Sequence, residues 1–189
     1  MGNTDIKEEL ESRALAESRF ADSEYDPSSK ATAEIARFAA EQERLDVLTK
    51  VFSCGFIPSH VYEDGANLMH YALAPEVVRF LGAHGVVATK ADNKGRTPLH
   101  MVSSSAHPKA VMTAKLLLDG GADVYAVDND GRTSLDAAET AANAFGDGSI
   151  YKVLREEADR KMNKDGAKGC VVLIVLLIVG LYVLYKILT

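Results

Sequence analysis

Histidine is the residue type in this 189-residue chain with the most obvious capacity for acid–base chemistry or metal binding. Two of the five histidines, His70 and His100, stand at the same position of two similar stretches, "GANLMHYA" and "GRTPLHMV". The third copy, "GRTSLDAA", has Asp136 there, and no carboxylate or cysteine is spaced as an obvious co-ligand. Recurrence at one position favours a structural role, in which each ring hydrogen-bonds the neighbouring turn.

The remaining candidates for chemistry are weaker. The serine run 103–105 has neither a Gly-x-Ser-x-Gly elbow nor a paired base. His60, His84 and His107 fall in or near predicted turns, so we expect them to be solvated. No phosphate loop, kinase signature or zinc spacing occurs. The sequence therefore predicts no catalytic, cofactor-binding or metal-binding residue, no small-molecule substrate and no enzyme activity.

The elements that position these residues follow from two series of glycines. One series closes a predicted helix and the other precedes a new one, always ten residues later: Gly55 and Gly65, Gly85 and Gly95, Gly121 and Gly131. Successive copies are 30 and then 36 residues apart. The differences in repeat length therefore lie between the two helices of a unit, and the turn that connects successive units keeps its length. Such a period predicts a stack of helix–turn–helix units.

Each recurring letter has a local physical role. Gly95 and Gly131 can adopt the positive φ that the tip of a turn requires. Thr97 and Thr133 can cap the free N–H groups at a helix start. Pro98 suits the first helical turn because it lacks an N–H that would go unpaired. These roles explain why "DNKGRTPLHMV" is repeated almost unchanged as "DNDGRTSLDAA".

The sequence "GRTPLH" followed by "LLLDGGADV" resembles the ankyrin repeat, and the resemblance covers about 130 of the 189 residues. It implies an all-α solenoid of about four helix–turn–helix repeats, at residues 31–64, 65–94, 95–130 and 131–160. The third copy is the strongest. The first lacks a "TPLH" equivalent and the last ends in the charged "SIYKVLREEADRK". Both departures are typical of terminal repeats, whose outer faces meet water.

The chain outside the repeats divides into three parts. Residues 1–30 are predicted to be a polar, acidic and mobile arm. Residues 161–168 form a basic linker, and residues 169–188 are predicted to be a transmembrane helix. No residue between Gly169 and Tyr185 carries a formal charge, and this run contains twelve Val, Leu and Ile residues. At about 0.3–0.6 kcal/mol each, they favour membrane insertion by roughly 4–7 kcal/mol.

The charges around this span predict its orientation. Four cations precede it, Arg160, Lys161, Lys164 and Lys168, and Lys186 alone follows it. The positive-inside rule then places the repeats in the cytoplasm, as in a single-pass, tail-anchored protein. The uncharged run is about 25 Å long as a helix, which favours the endoplasmic reticulum or another thin membrane. Cys170, at the interface, is a candidate for S-palmitoylation.

The expected partner is another protein. A net charge of −6 offers no basic surface to nucleic acid. The ankyrin resemblance implies contact through hairpin tips and inner helices. The candidate partner-binding residues at the tips are Tyr62, Glu63, Lys90, Asp92, Lys94, Tyr125, Asp128 and Asp130. Either tyrosine could instead shield a turn, and aspartate is common in turns for local reasons.

The sequence thus favours a membrane-tethered adaptor that binds a protein partner on the cytosolic side and a lipid bilayer through its C-terminal helix. Two alternatives stay open. The span could itself be the active element of a self-associating membrane protein, although Gly180 lacks a small residue four positions away on either side. The chain could also be the regulatory subunit of a membrane enzyme.

Overall fold

The computed structural model describes residue 26 and residues 28–163 of the chain. This part of the chain is helical, with one isolated β-type bridge between Val127 and Thr133. The helices in chain order are α1 (Lys30–Glu41), α2 (Leu45–Ser53), a 3-10 helix (Leu68–Tyr71), α3 (Pro75–Ala83), α4 (Pro98–Ser103), α5 (Ala110–Asp119), α6 (Ser134–Phe145) and α7, described over 149–163.

These helices pair into four consecutive repeats. The inner helices are α1, the 3-10 helix, α4 and α6, and each is followed by an outer helix, namely α2, α3, α5 or α7. Three hairpin turns connect one repeat to the next, and the glycines predicted to close the preceding helices, Gly55, Gly85 and Gly121, all have positive φ. The all-α fold of stacked repeats is therefore confirmed over the described residues.

Apolar residues spaced three or four apart give each helix its buried face. In α1 the Ser29 hydroxyl accepts a hydrogen bond from the Thr32 N–H, and Ala33, Ala36 and Ala40 are buried. The last helix, α7, buries Ile150, Leu154 and Ala158 at intervals of four. This spacing aligns apolar groups on one side of a helix, so each helix packs against its neighbours and not into water.

A row of leucines runs through the core. Each outer helix contributes one fully buried leucine: Leu48, Leu81, Leu117 and Leu154. Leu68 and Leu99 extend the same core toward the inner helices. The repeats therefore share one continuous apolar interior, and no repeat buries its hydrophobic face alone.

The second repeat departs from the predicted pattern. Its inner helix is a single 3-10 turn and not an α-helix, since this copy is shorter than its neighbours and Pro75 already begins α3. The third repeat has its extra residues between α4 and α5, as predicted. The Thr113 hydroxyl at the start of α5 donates a hydrogen bond of 2.8 Å to the Leu73 carbonyl, which the short second repeat leaves available.

The last helix extends past residue 160, the predicted end of the fourth repeat, because α7 is described through residue 163. The additional turn is held by the Lys161 ammonium group, which lies 3.2 Å from the Asp123 carboxylate of the preceding hairpin. The first three residues of the predicted basic linker are therefore helical.

None of the helices in the described residues is long and apolar enough to cross a lipid bilayer. The predicted transmembrane helix at 169–188, Cys170 and most of the acidic arm lie outside the described residues.

Candidate interaction surface

The third repeat's hairpin turn is built around the carboxylate of Asp92. This group accepts hydrogen bonds from the Lys94 and Arg96 backbone N–H groups and two more from the Arg96 guanidinium, at 2.7–2.9 Å. Only 2% of the side chain is exposed. Burial alone would raise the pKa of Asp92, but the hydrogen bonds from Arg96 and from the backbone outweigh it and hold that pKa below its usual value.

Asp128 repeats this arrangement in the next hairpin. Its carboxylate accepts from the Asp130 and Arg132 N–H groups and from the Arg132 guanidinium. The hydrogen bond from the Arg132 N–H is the main reason that the pKa of Asp128 is also lowered. Asp92 and Asp128 were predicted to contact a partner, but both carboxylates are occupied within their own turns.

We expect Asp92→Asn to destabilise the protein by about 1–3 kcal/mol, because the half-buried donors of Arg96 lose a buried, ionised acceptor. The matched change Asp130→Asn should shift stability by less than about 1 kcal/mol, since Asp130 forms an exposed ion pair with Arg132. Urea unfolding of both variants measures the difference. Equal losses of unfolding free energy in the two variants would show that the buried Asp92 carboxylate does not stabilise the turn.

Asparagines join successive hairpins. The Asn93 N–H and side-chain amide donate to the carbonyls of Asp64 and Glu63, at 2.8 and 3.0 Å. Asn129 makes the same two bonds, to the carbonyls of Lys94 and Asn93. These asparagines were not predicted to matter, although the recurring "DN" pair was a signal. The hairpins therefore form a ladder in which each tip is fixed by the one before it.

His70 and His100 link each repeat to the following turn, as predicted. In each ring Nδ1 accepts from the backbone N–H three residues earlier, of Asn67 or Thr97. Nε2 lies 3.1 Å from the carbonyl of Arg96 or Arg132 in the next turn, so it carries the proton. In the last repeat, the equivalent Asp136 accepts from the Thr133 N–H within its own turn.

The buried His70 ring should make stability depend on pH. Burial lowers the pKa of His70 below its ordinary value of 6.5. The unfolded chain then binds the proton first, so this contribution to stability is present above pH 6.5 and is lost as the pH falls toward the lowered pKa. We expect the stability difference between wild type and His70→Gln to narrow as the pH falls through this range. A difference that stays constant in urea titrations would contradict this assignment.

The two predicted anchor tyrosines have different environments. Tyr62 is partly buried and its hydroxyl donates to the Ala33 carbonyl at 2.7 Å, so it shields the junction of the first two repeats. Burial raises its pKa. Tyr125 donates to the Ala158 carbonyl at 2.8 Å while 46% of it stays exposed. Tyr125 can therefore contact a partner with its ring already fixed in place.

The other predicted tip residues are charged. Glu63 pairs with Lys30 at 2.6 Å, and Asp130 pairs with Arg132 at the same distance. Lys94 is exposed and Lys90 half-buried, and neither forms an ion pair within the described residues. The second hairpin therefore presents positive charge between two acidic neighbours.

An apolar groove on the inner face was not predicted. It lies between α4 and α6, encloses about 420 Å³ and has Arg96 and Arg132 at its hairpin end. Its apolar lining includes Met101, Ala137, Ala141, Ala144 and Phe145. Phe145 is 62% exposed. We call this feature the α4–α6 groove. The small residues of α6 leave an open channel here.

A second unpredicted feature links the first repeat to the third. His107, which we expected to be solvated, has Nε2 3.0 Å from the Glu43 carboxylate, and the Lys109 ammonium lies 2.7 Å from the same group. The hydrogen bond from Lys109 is the largest effect on Glu43 and lowers its pKa. Because the second repeat is short, these side chains can meet across it.

Residues 36–128 match the family model described as ankyrin repeats (3 copies). No curated protein matches the chain. This part of the chain therefore consists of ankyrin repeats, which are characteristic of protein-binding scaffolds. The α6–α7 pair lies beyond the matched residues but continues the same stack.

Proposed function

We propose that the protein is a membrane-tethered ankyrin-repeat adaptor that binds a protein partner on the cytosolic side of a membrane. The observation that carries the proposal is the α4–α6 groove, where an aromatic side chain and a row of small apolar groups stay open to solvent. Exposed apolar surface of this kind marks interaction sites. The groove also lies on the inner face, where solenoids bind their partners.

The lining of the α4–α6 groove suits an apolar segment of the partner. Ala137, Ala141 and Ala144 are small, so a partner's backbone or large side chains can approach α6 closely. Phe145 and Met101 provide apolar area on either side. Lys90, Lys94 and Asp130 on the hairpin tips are the outer contacts of the same interface. Asp92 and Asp128 act indirectly, by holding those tips in shape.

The membrane tether rests on the sequence. The uncharged run from Gly169 to Tyr185 follows the last repeat after a short basic linker. Anchoring would raise the effective concentration of the partner near membrane targets without any further contact. The excess of cations before the span supports a cytoplasmic location of the repeats, and the short span favours a thin membrane such as the endoplasmic reticulum. On this proposal the chain acts by binding and is not an enzyme.

Proximity labelling in living cells tests the partner site. Three forms are compared with wild type: Ala144→Arg, which fills the α4–α6 groove, Glu139→Arg, which adds the same side chain to an exposed position of α6 outside the groove, and the chain cut before Lys168. We expect Ala144→Arg to lose a set of labelled proteins that Glu139→Arg retains. The cut chain should keep those proteins and lose membrane neighbours.

Two results would count against the proposal. If Ala144→Arg labels the same proteins as wild type, the groove is not the partner site. If the cut chain keeps the membrane neighbours of the full chain, residues 168–189 are not the tether.

A further inference from the structure

Exposed apolar residues are concentrated on one face of the three hairpins. Five of the eight large hydrophobic residues exposed in the described part of the chain lie there: Ile57, Val61, Val87, Tyr125 and Val127. Ile57 and Val87 are each 56% exposed and occupy the same position in neighbouring hairpins. In the third hairpin this position holds Asp123, whose carboxylate accepts from the Tyr125 N–H and so serves the turn.

Exposure along the chain shows which residues form this face. Every second residue after the turn glycine is exposed in all three hairpins, and the residues between them are buried or half-buried. The buried ones, such as Phe56, Val86 and Val124, join the helical core. The exposed ones lie outside that core, and two of them, Asp123 and Tyr125, contact the outer helix α7.

We call this face the hairpin underside. Its nine residues are Ile57, Ser59 and Val61, then Val87, Thr89 and Ala91, then Asp123, Tyr125 and Val127.

The last helix brings the chain to this same side of the molecule. Near the end of α7, the Ala158 carbonyl accepts from the Tyr125 hydroxyl, and the Lys161 ammonium lies 3.2 Å from the Asp123 carboxylate. Both hairpin residues belong to the underside. Residues 164–168 alone separate the described end of α7 from the uncharged run, and fully extended they reach roughly 20 Å.

We infer that the hairpin underside lies on the surface of the lipid bilayer, so that the repeats are docked on the membrane and do not hang from a free tether. The inference rests on the membrane anchor in the proposed function. The chemistry of the face fits a bilayer interface. Its one carboxylate, Asp123, is paired with Lys161, and the other eight side chains carry no charge. Tyr125 combines an apolar ring with a polar tip, which suits the headgroup region.

Docking in this orientation also explains how the adaptor could present its partner site. The α4–α6 groove lies between inner helices, whereas underside residues contact the outer helix α7, so a docked molecule keeps its groove open to the cytosol. The α4–α5 loop then projects away from the bilayer. The ten residues of α5 separate this loop from the hairpin, and a helix of that length spans about 15 Å.

Fluorescence quenching in vesicles tests the inference with the full chain. In a background of Cys54→Ser and Cys170→Ser, one cysteine is introduced by Val87→Cys on the underside or, as the matched control, by Ala106→Cys in the α4–α5 loop. Each is labelled with an environment-sensitive dye and inserted into phosphatidylcholine vesicles that contain a lipid with a nitroxide on its headgroup. Resistance to extraction by alkaline carbonate is measured on the same samples.

We expect the dye at position 87 to lose most of its emission and the dye at position 106 to lose little. Adding Ile57→Asp should restore emission at position 87, because the apolar contact is weakened. If the chain resists carbonate but position 87 is quenched no more than position 106, the docked orientation is overturned while the anchor stands. If carbonate releases the chain, the anchor itself fails, and the docked orientation fails with it.

Discussion

Gly95→Ala is expected to destabilise the protein by about 3–4 kcal/mol. Backbone strain accounts for about 1–2 kcal/mol of this loss, and the hydrogen bonds that break when the next hairpin is displaced account for the rest. Gly95 has a φ of +76°, which side chains other than glycine rarely adopt. A Cβ here would lie 2.6 Å from the Asn129 side-chain oxygen and 2.8 Å from the Asn129 nitrogen. The next hairpin would have to move, and its bonds to Lys94 and Asn93 would break.

Gly131→Ala is the matched control for this change. Its φ of +77° is nearly the same, but no atom lies within 4 Å of the position a Cβ would take. Only the backbone strain should therefore appear, at about 1–2 kcal/mol. Urea denaturation followed by circular dichroism measures both variants. Equal losses at Gly95 and Gly131 would contradict the idea that stacked hairpins stabilise the solenoid.

Leu117→Ala should lower the free energy of unfolding by about 3 kcal/mol, an effect of similar size. Truncation of a buried leucine to alanine usually costs about 2–5 kcal/mol. The leucine is fully buried in α5 and is one of the four that run through the outer helices. It belongs to the same apolar cluster as Leu81 of α3 and Leu154 of α7, so its removal leaves a cavity in a core that these helices share. Because each repeat is stabilised by its neighbours, the damage should spread beyond α5.

Met112→Ala on the same helix provides the comparison for Leu117→Ala. Met112 is 54% exposed, so its truncation should change stability by no more than about 0.5 kcal/mol. Hydrogen exchange by mass spectrometry locates the effect. Leu117→Ala should accelerate exchange in α3 and α7 as well as in α5. Acceleration confined to α5 would show that the repeats do not share one core.

The sequence predicted the parts of the fold that depend on local chemistry. The recurring glycines predicted positive φ at the turns, and the threonine before each helix predicted a cap, which Thr133 forms by accepting from the Asp136 N–H. Thr97 and His100 form a capping box at the start of α4, in which the Thr97 hydroxyl also lies 2.9 Å from Nδ1 of His100. The repetition of histidine at one position also indicated its link to the next turn. Each of these contacts joins residues within one turn or at a repeat's fixed spacing.

What could not be predicted depends on contacts between repeats of unequal length. The 3-10 turn of the second repeat follows from its missing residues, and the contact of His107 with Glu43 exists because that repeat is short. The two residues are 64 positions apart, and no local pattern connects them. The α4–α6 groove could not be predicted either. The sequence pattern of an alanine-rich helix is the same whether a neighbouring helix covers its small residues or leaves them exposed.

The environment of the predicted tip residues also required coordinates. Asp92 and Asp130 have the same side chain in the same kind of turn, yet one carboxylate is buried under Arg96 and the other is exposed. Likewise, Tyr62 is partly buried whereas Tyr125 is exposed. Residue type thus selected candidate residues on the hairpins without separating those that build the turns from those that are exposed.

Flotation of vesicles tests the central claim, recruitment of a partner to a membrane, most directly. A protein whose labelling is lost in Ala144→Arg is mixed with vesicles that carry the full chain, the Ala144→Arg chain or the Glu139→Arg chain, and with the chain cut before Lys168. Our account predicts that this protein floats with vesicles carrying the full chain or Glu139→Arg and stays at the bottom with the other two. A partner that floats equally with the Ala144→Arg chain, or a full chain that does not float, would contradict it.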